Sequence, residues 1–354
     1  MAPSNAKNLD YLIPAVQKET IISGLLFPPG ATYPDGSPIG EVFGRVPVSK
    51  GARMATMWKY RSEGQQNPDY RRFKHPYDSG KEITQHKINY EKMLLPLERW
   101  SALDGRDVDH LMGTSAPDDL DTEMGVGLRE VLYASLEAEI AANVLNTGNY
   151  TLNATPGPGY YVVCTGDEWN DATVNPFTDE TSGLITALSA MYAAGKFPSD
   201  ILLGAAEWAA LASNANSQDY VRNFLLYSPG MMGEGATLPL AGVERALVIN
   251  PFPPIKLHVG LATYQAGHAV DGKFDIDEVV SLWSGCLLYT KGNMTISGKP
   301  SGQHFCLLAD GGDEFSSNEN TGFRYNTIDF KYNLYQCHNV ISWTNATLLT
   351  GLIA

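Results

Sequence analysis

Residues 41–100 place the strongest constraint on the fold, because they form two long β arms with no core face of their own. The first arm is predicted over roughly 42–61 and the second over roughly 83–97, each with side chains that alternate at the period of a strand. The polar stretch between them contains Gly and Pro and is too long for a tight turn. Since an isolated two-stranded ribbon is barely stable, we expect it to rest on a partner surface.

Charge is distributed very unevenly along the sequence. Residues 41–100 hold 12 Lys and Arg against 7 Asp and Glu, a net charge of +5, whereas the rest of the chain carries a net charge of −19. An overall charge of −14 argues against nucleic-acid binding over the whole surface, because phosphate binding needs clustered Lys and Arg. Aromatic residues do interleave with the basic ones here, as in a single-strand-binding groove, so that alternative stays open. We favour a cationic ribbon that lies on the acidic surface of an identical neighbour.

The clearest helix signal lies in the middle of the chain. Aliphatic residues recur there at every fourth position: Leu128, Leu132, Leu136, Ile140 and Val144. This spacing predicts a helix over Asp118–Leu145, of about eight turns and roughly 40 Å. We expect Gly148 to end it in the left-handed conformation.

The remaining elements predict an α+β fold. A helix is predicted over Thr181–Ala194 with Gly195 at its end, followed by a buried strand at Ile201–Gly204 and short helices around Trp208 and over Tyr220–Leu225. Short strands are then predicted over Ala246–Ile249, Leu257–Leu261, Val279–Trp283, Leu287–Thr290, Phe305–Leu308, Phe323–Tyr335 and Val340–Leu349. Without repeated βαβ units, a doubly wound sheet is not expected.

No motif for catalysis or for cofactor binding is present. The nearest match to a phosphate loop, Gly292–Lys299, has one residue too many between its glycines, and the histidines lack the spacing of zinc ligands. We therefore predict no enzyme activity, no cofactor and no metal. The acidic clusters 309–314 and 275–278 are interpreted as surface turns. No apolar run is long enough for a membrane-spanning helix, and the four cysteines are expected to be free thiols.

The order and spacing of these elements resemble the major capsid protein family of tailed bacteriophages, whose Hong Kong 97-like fold is shared with encapsulins. The stretch 181–225 is the most telling, with its helix, Pro-containing break, apolar strand, aromatic-bearing short helix and further helix. Residues 41–100 are similar to the extended loop (E-loop) of that family, and the helix Asp118–Leu145 resembles its spine helix. The resemblance covers nearly the whole chain.

The resemblance implies a phage major capsid (Hong Kong 97-like) α+β fold with five parts. These are an extended N-terminal arm (1–40), a long β-hairpin E-loop (41–100), a peripheral domain with the spine helix (101–237), a β-rich axial domain (238–337) and a returning peripheral strand (338–354). It also implies that E-loop cations contact a neighbouring subunit. The candidate contact residues are Lys59, Arg61, Arg71, Arg72, Lys74, Lys81 and Lys87.

The function implied is that of a structural subunit. Copies of the chain would assemble in the host cytoplasm into the pentamers and hexamers of an icosahedral virion head that encloses double-stranded DNA without sequence-specific binding. Separate scaffolding and portal proteins are the other implied partners, the presence of a decoration protein stays open, and no membrane is involved. Two alternatives stay open: an encapsulin-like shell for protein cargo, and a soluble hydrolase with no recognisable motif.

Overall fold

Two sheets and one long helix organise the chain in the computed structural model, which describes residues 39–48, 54–60, 90–107, 117–224, 238–249, 252, 254–265, 279–292, 304–321 and 326–353. The predicted α+β class is confirmed. The helices are α1 (Ile39–Phe43), α2 (Pro117–Val144), α3 (Leu184–Ala193), α4 (Ala205–Ser213), α5 (Ala215–Phe224) and α6 (Leu240–Ala246). The strands are β1 (Arg45–Pro47), β2 (Met54–Tyr60), β3 (Tyr90–Pro96), β4 (Glu98–Asp107), β5 (Thr151–Leu152), β6 (Tyr160–Val163), β7 (Asp200–Gly204), β8 (Lys256–Gly260), β9 (Thr263–Gln265), β10 (Val279–Ser281), β11 (Cys286–Tyr289), β12 (Cys306–Thr321), β13 (Asn326–Val340) and β14 (Ala346–Thr350). Residues 1–38 of the predicted N-terminal arm lie outside the described residues.

The long helix α2 matches its prediction to within one residue at each end. All five aliphatic residues of its predicted stripe are buried and share one core with Phe330, Tyr332 and Leu334 of β13. A buried hydrogen bond adds to this packing, because Trp283 Nε1–H donates to Glu137 Oε1 at 2.6 Å. These contacts join the helix to both sheets, since Trp283 precedes β11.

The end of α2 differs from the prediction. Gly148 does not adopt a positive φ but lies in a 3₁₀ turn over Thr147–Asn149. The side chain of Asn146 accepts a hydrogen bond from Gly148 N–H at 2.9 Å. The turn that follows α2 is therefore stabilised by an Asn side chain and not by a left-handed glycine.

The first sheet has the strand order β1-β12-β13-β4. Strand β1 runs parallel to β12, and the other pairs are antiparallel. The predicted strands Phe305–Leu308 and Phe323–Tyr335 are too short, because β12 and β13 form one long hairpin. The acidic cluster 309–314 is not a surface turn, and that interpretation is wrong: the ladder shifts register between Asp310 and Asp313, and Gly312 has a φ of 91°. A β-bulge therefore lies where two adjacent glycines indicate a turn.

The second sheet has the strand order β5-β6-β14-β11-β7-β8 and is buried on both faces at its centre. Every residue of β11 is buried. Leu287 and Tyr289 share the core of α2, whereas Cys286 and Leu288 share a second core with residues of α3, α4, α5 and α6. This sheet is therefore the common wall between two hydrophobic layers.

The helices on the far side of this wall agree with the prediction in part, because α5 begins at Ala215 and not at the predicted Tyr220. Helix α3 ends at Ala193, and Gly195 just beyond it has a φ of 72°, the left-handed conformation of a helix-ending glycine. The predicted strand Ala246–Ile249 is wrong, because Ala246 closes helix α6. Val243, Ala246 and Leu247 are buried at i, i+3 and i+4, which is the spacing of a helix, and a short apolar run alone does not separate the two states.

Each of the two sheets combines strands from more than one of the predicted domains. The second sheet contains strands from each of the predicted segments 101–237, 238–337 and 338–354. The first sheet contains strands from both sides of residue 100. The domain division stays a prediction. Among the described helices, none has the length and apolar character needed to cross a lipid bilayer.

His304 is buried beside the junction of α1 and β1. Its exposed fraction is 2%, and neither ring nitrogen has a hydrogen-bond partner within the described ranges. Gly44, between α1 and β1, lies next to the imidazole ring, because a Cβ built on it would be 3.5 Å from Nδ1 of His304. Burial, with a smaller contribution from the charge of Lys291, lowers the pKa of His304 to about 4.

Acidification is expected to destabilise the fold through His304. The unfolded chain binds a proton there below its ordinary pKa of 6.5, but the folded chain does so only near pH 4, so stability falls as the pH drops through this window. The loss from this residue should approach about 3 kcal/mol at pH 4. Urea unfolding measured from pH 7 to pH 4 should show a smaller pH dependence in His304→Gln than in the unsubstituted protein. Equal slopes for the two proteins would contradict this assignment.

Candidate assembly interface

The ribbon predicted from residues 41–100 is present but its first arm is shorter than predicted. Strands β2 and β3 pair antiparallel, from Met54 opposite Pro96 to Tyr60 opposite Tyr90. The beginning of the predicted first arm instead forms α1 and β1. Val42 and Phe43 are buried in the core of α2, and this burial draws the start of the segment into the body of the protein.

The described part of the ribbon carries exposed apolar side chains. Met54 is 56% exposed and Leu94 is 52% exposed. Register places both on one face with Pro96, which is also exposed. Apolar side chains with no cover in the folded chain are typical of a surface that meets another protein.

The root of the ribbon is packed on the body. Leu307 and Ala309 of β12 are buried in a small cluster to which Val46, Val48 and Leu97 contribute. Because Leu308 belongs to the core of α2, strand alternation places this cluster on the opposite face of the sheet. The ribbon therefore leaves the body from a fixed base.

Asp310 is the polar anchor of this base. Its exposed fraction is 5%, and its carboxylate accepts hydrogen bonds from Arg45 Nε at 2.6 Å, Gln336 Nε2 at 3.3 Å and Gly312 N at 2.9 Å. The backbone oxygen of Asp310 accepts a further bond from Val48 N at 2.7 Å. One buried carboxylate thus ties β1, the bulge and β13 together beside the point where the ribbon departs.

The ribbon and the β12–β13 hairpin leave the sheet at opposite ends. Strand β4 begins with Glu98 opposite Gln336 and runs to Asp107 opposite Thr327, towards the hairpin turn. Only Leu97 separates β3 from β4, so β3 extends beyond the Gln336 end and away from that turn. The chain therefore presents different structures at its two ends.

The predicted contact cations can be placed only in part. Lys59 lies in β2, opposite Glu91 in register. The other six candidates lie outside the described residues and stay predictions: Arg61, Arg71, Arg72, Lys74, Lys81 and Lys87. Sequence reasoning missed the Arg45–Asp310 ion pair. The two residues are 265 positions apart, and no local pattern in the sequence indicates their pairing.

The described residues have few groups suited to metal binding or to nucleophilic chemistry. They contain no group of three or more His, Cys, Asp and Glu side chains able to hold a metal ion. The four cysteines are free, as predicted, and burial raises the pKa of Cys164 and Cys306 to about 12, which disfavours thiolate reactivity.

One buried polar set contains the residue types of a hydrolase triad but not its geometry. His258 Nε2 lies 2.8 Å from Asp200 Oδ1, and Ser199 Oγ donates to the other oxygen of Asp200 at 2.5 Å. A nucleophilic serine must instead donate to the imidazole, which then takes its proton. This set therefore gives no support to the hydrolase alternative.

Removal of the Arg45 side chain should weaken the base of the ribbon. Arg45→Met leaves the buried Asp310 carboxylate without its cation, and we expect the free energy of unfolding to fall by about 2 kcal/mol. The control is Arg222→Met, because Arg222 pairs with Asp219 at 3.7 Å on the surface and such pairs contribute little. Chemical denaturation measures both variants, and equal losses would show that Asp310 is not an anchor.

The chain is similar to a phage-related protein from Bordetella bronchiseptica RB50, with a TM-score of 0.62 and 12% sequence identity over 95% of this chain and 96% of that one. It is also similar to the capsid structure of the cyanophage P-SCSP1u, with a TM-score of 0.51 and 12% identity over 88% of this chain and 87% of that one. No protein-family model and no curated protein sequence matches it. The chain has the fold of a phage capsid protein.

Proposed function

We propose that this chain is the major capsid subunit of a tailed bacteriophage, with a structural and not an enzymatic role. Its copies assemble into the pentamers and hexamers of an icosahedral head that encloses double-stranded DNA. The observation that carries the proposal is the likeness of fold to the cyanophage capsid structure over 88% of the chain. The exposed apolar side chains of Met54 and Leu94 on the β2–β3 ribbon support it independently, because such side chains are typical of a surface that meets another protein.

The shape of the subunit suits contacts between unlike surfaces. A ribbon at one end of the sheet and a long hairpin at the other allow a head-to-tail contact, and such contacts close into rings when the rotation between copies permits. The charges agree with this arrangement, since a segment of net charge +5 is carried by a chain of net charge −14. Complementary charge sets register and partner choice.

An acidic shell also suits a DNA container. Packaged DNA is repelled by a surface of the same sign, so it can slide during filling without adhering to the wall. The proposal includes separate scaffolding and portal proteins as partners, with assembly in the host cytoplasm before the subunit becomes part of the virion.

Electron microscopy of the purified full-length protein tests this function. We expect closed shells tens of nanometres across, and shells isolated from the producing cells should contain double-stranded DNA when the other phage proteins are present. A protein cargo in those shells would support the encapsulin-like alternative. A preparation without any particles, at concentrations up to the solubility limit, would contradict both shell functions.

Charge reversal at the tip of the E-loop should impair assembly without unfolding the subunit. In the variant Arg71→Glu, Arg72→Glu, Lys74→Glu we expect about tenfold fewer shells, an effect that changes with salt because exposed charges are screened. The variant Arg222→Glu, Arg245→Glu, Lys256→Glu changes the net charge equally but away from the ribbon, and it should assemble normally. Shell counts by microscopy and melting temperatures of the free subunit measure the two effects. Normal assembly of the E-loop variant at both low and high salt would remove the electrostatic contact from the proposal.

A further inference from the structure

Strand β12 has a long outer edge that carries no strand partner in the described part of the chain. Its inner side pairs with β13 as far as Thr321, but on its outer side β1 pairs only with Leu308, Ala309 and Asp310. From Asp313 to Thr321 the outer edge is therefore open over about 30 Å, at 3.3 Å per residue. Such an edge presents a row of backbone N–H and C=O groups to which another strand can add.

The composition of this edge selects its partner. The segment Asp313–Thr321 contains three acidic residues and no basic one. Two such edges from different copies repel each other, which disfavours a symmetric edge-to-edge contact. A strand with positive charge is favoured instead, and β2 supplies one, because it contains Lys59 and no acidic residue.

The described ribbon of the same chain points away from this edge. The ribbon of the same chain leaves the sheet at the Gln336 end, whereas the open edge of β12 leads towards the opposite end at Thr321. Strands β2 and β3 also pair only with each other within the described residues, so each keeps one side available. A ribbon from a second copy placed head to tail meets the edge of the first without a change of fold.

We propose that the outer edge of β12, Asp313–Thr321, accepts the β2–β3 ribbon of a neighbouring copy by strand addition. This inference rests on the proposed self-assembly and specifies where the ribbon binds. The contact joins unlike surfaces, so each subunit donates one ribbon and accepts another. Backbone hydrogen bonds then provide affinity, and the opposite charges select the pairing.

The ladder register identifies the backbone groups that are involved. Leu308 N–H donates outward to Gly44 O at 2.9 Å, and Leu308 is opposite His338. Phe330 of β13 is opposite Ser317, and it lies an even number of residues from His338 along the same strand. In an antiparallel ladder these positions share one direction of hydrogen bonding, so the N–H of Ser317 points outward, away from β13.

A proline at this position tests the contact. Ser317→Pro removes an outward N–H without removing a β13 hydrogen bond, and proline is tolerated on an edge strand. We expect the free subunit to keep its melting temperature while the number of shells falls about tenfold. The matched control Ser317→Ala retains the N–H and should assemble normally. Unchanged assembly of a folded Ser317→Pro protein would overturn the inference.

Residue-resolved amide hydrogen exchange on the unsubstituted protein gives a second test that does not depend on the folding of a variant. The outward amides of Phe315, Ser317 and Glu319 should exchange quickly in the free subunit and about a hundredfold more slowly in shells. The inward amides of Glu314 and Ser316 should be protected in both states. Shells whose outward amides stay unprotected would overturn strand addition while leaving the capsid function intact. Absence of shells would instead overturn the capsid function.

Discussion

The centre of the structure is a sheet that is buried on both faces, and this constraint determines what the rest of the chain can do. Leu287 and Tyr289 of β11 complete the core beneath α2, while Cys286 and Leu288 complete the core beneath the shorter helices. Met54 and Leu94 of the β2–β3 ribbon belong to neither layer, and their side chains are more than half exposed. Because an isolated two-stranded ribbon is marginally stable at best, we expect another surface to cover it.

The base of the ribbon explains how an element without a core is nevertheless held in a defined direction. Asp310 receives hydrogen bonds from β1, from the bulge and from β13, and a small apolar cluster packs beside it. The single residue Leu97 then joins β3 to β4, which runs towards the hairpin turn. The direction of the ribbon is thus set by the sheet, and the ends of the subunit are unlike each other. Unlike ends are what a ring of identical copies requires.

Features that depend on local spacing were predictable from the sequence. Leu128 to Val144 follow one helical stripe, and that stripe alone located α2. Ile201–Gly204 was recognised as a buried strand because a short apolar run follows a glycine and proline break. The α+β class and the resemblance to capsid proteins followed from the order of such elements, without any catalytic motif.

Features that depend on distant parts of the chain were not predictable in the same way. Gly311 and Gly312 resemble a turn in sequence, and only pairing with β13 makes them a bulge. The place of β14 between β6 and β11 joins segments that are far apart in the chain, and no local pattern encodes such an order. The candidate interface combines both cases: the basic segment is visible in the sequence, but the acidic edge of β12 emerges only when the sheet order is known.

The mass of the native protein in solution tests most directly whether the subunit is completed by its own copies. We predict particles built from many copies of the 38.5 kDa chain, in equilibrium with smaller rings. A single species of 38.5 kDa at every concentration and salt, with residues 54–60 and 90–96 protected from hydrogen exchange, would contradict it.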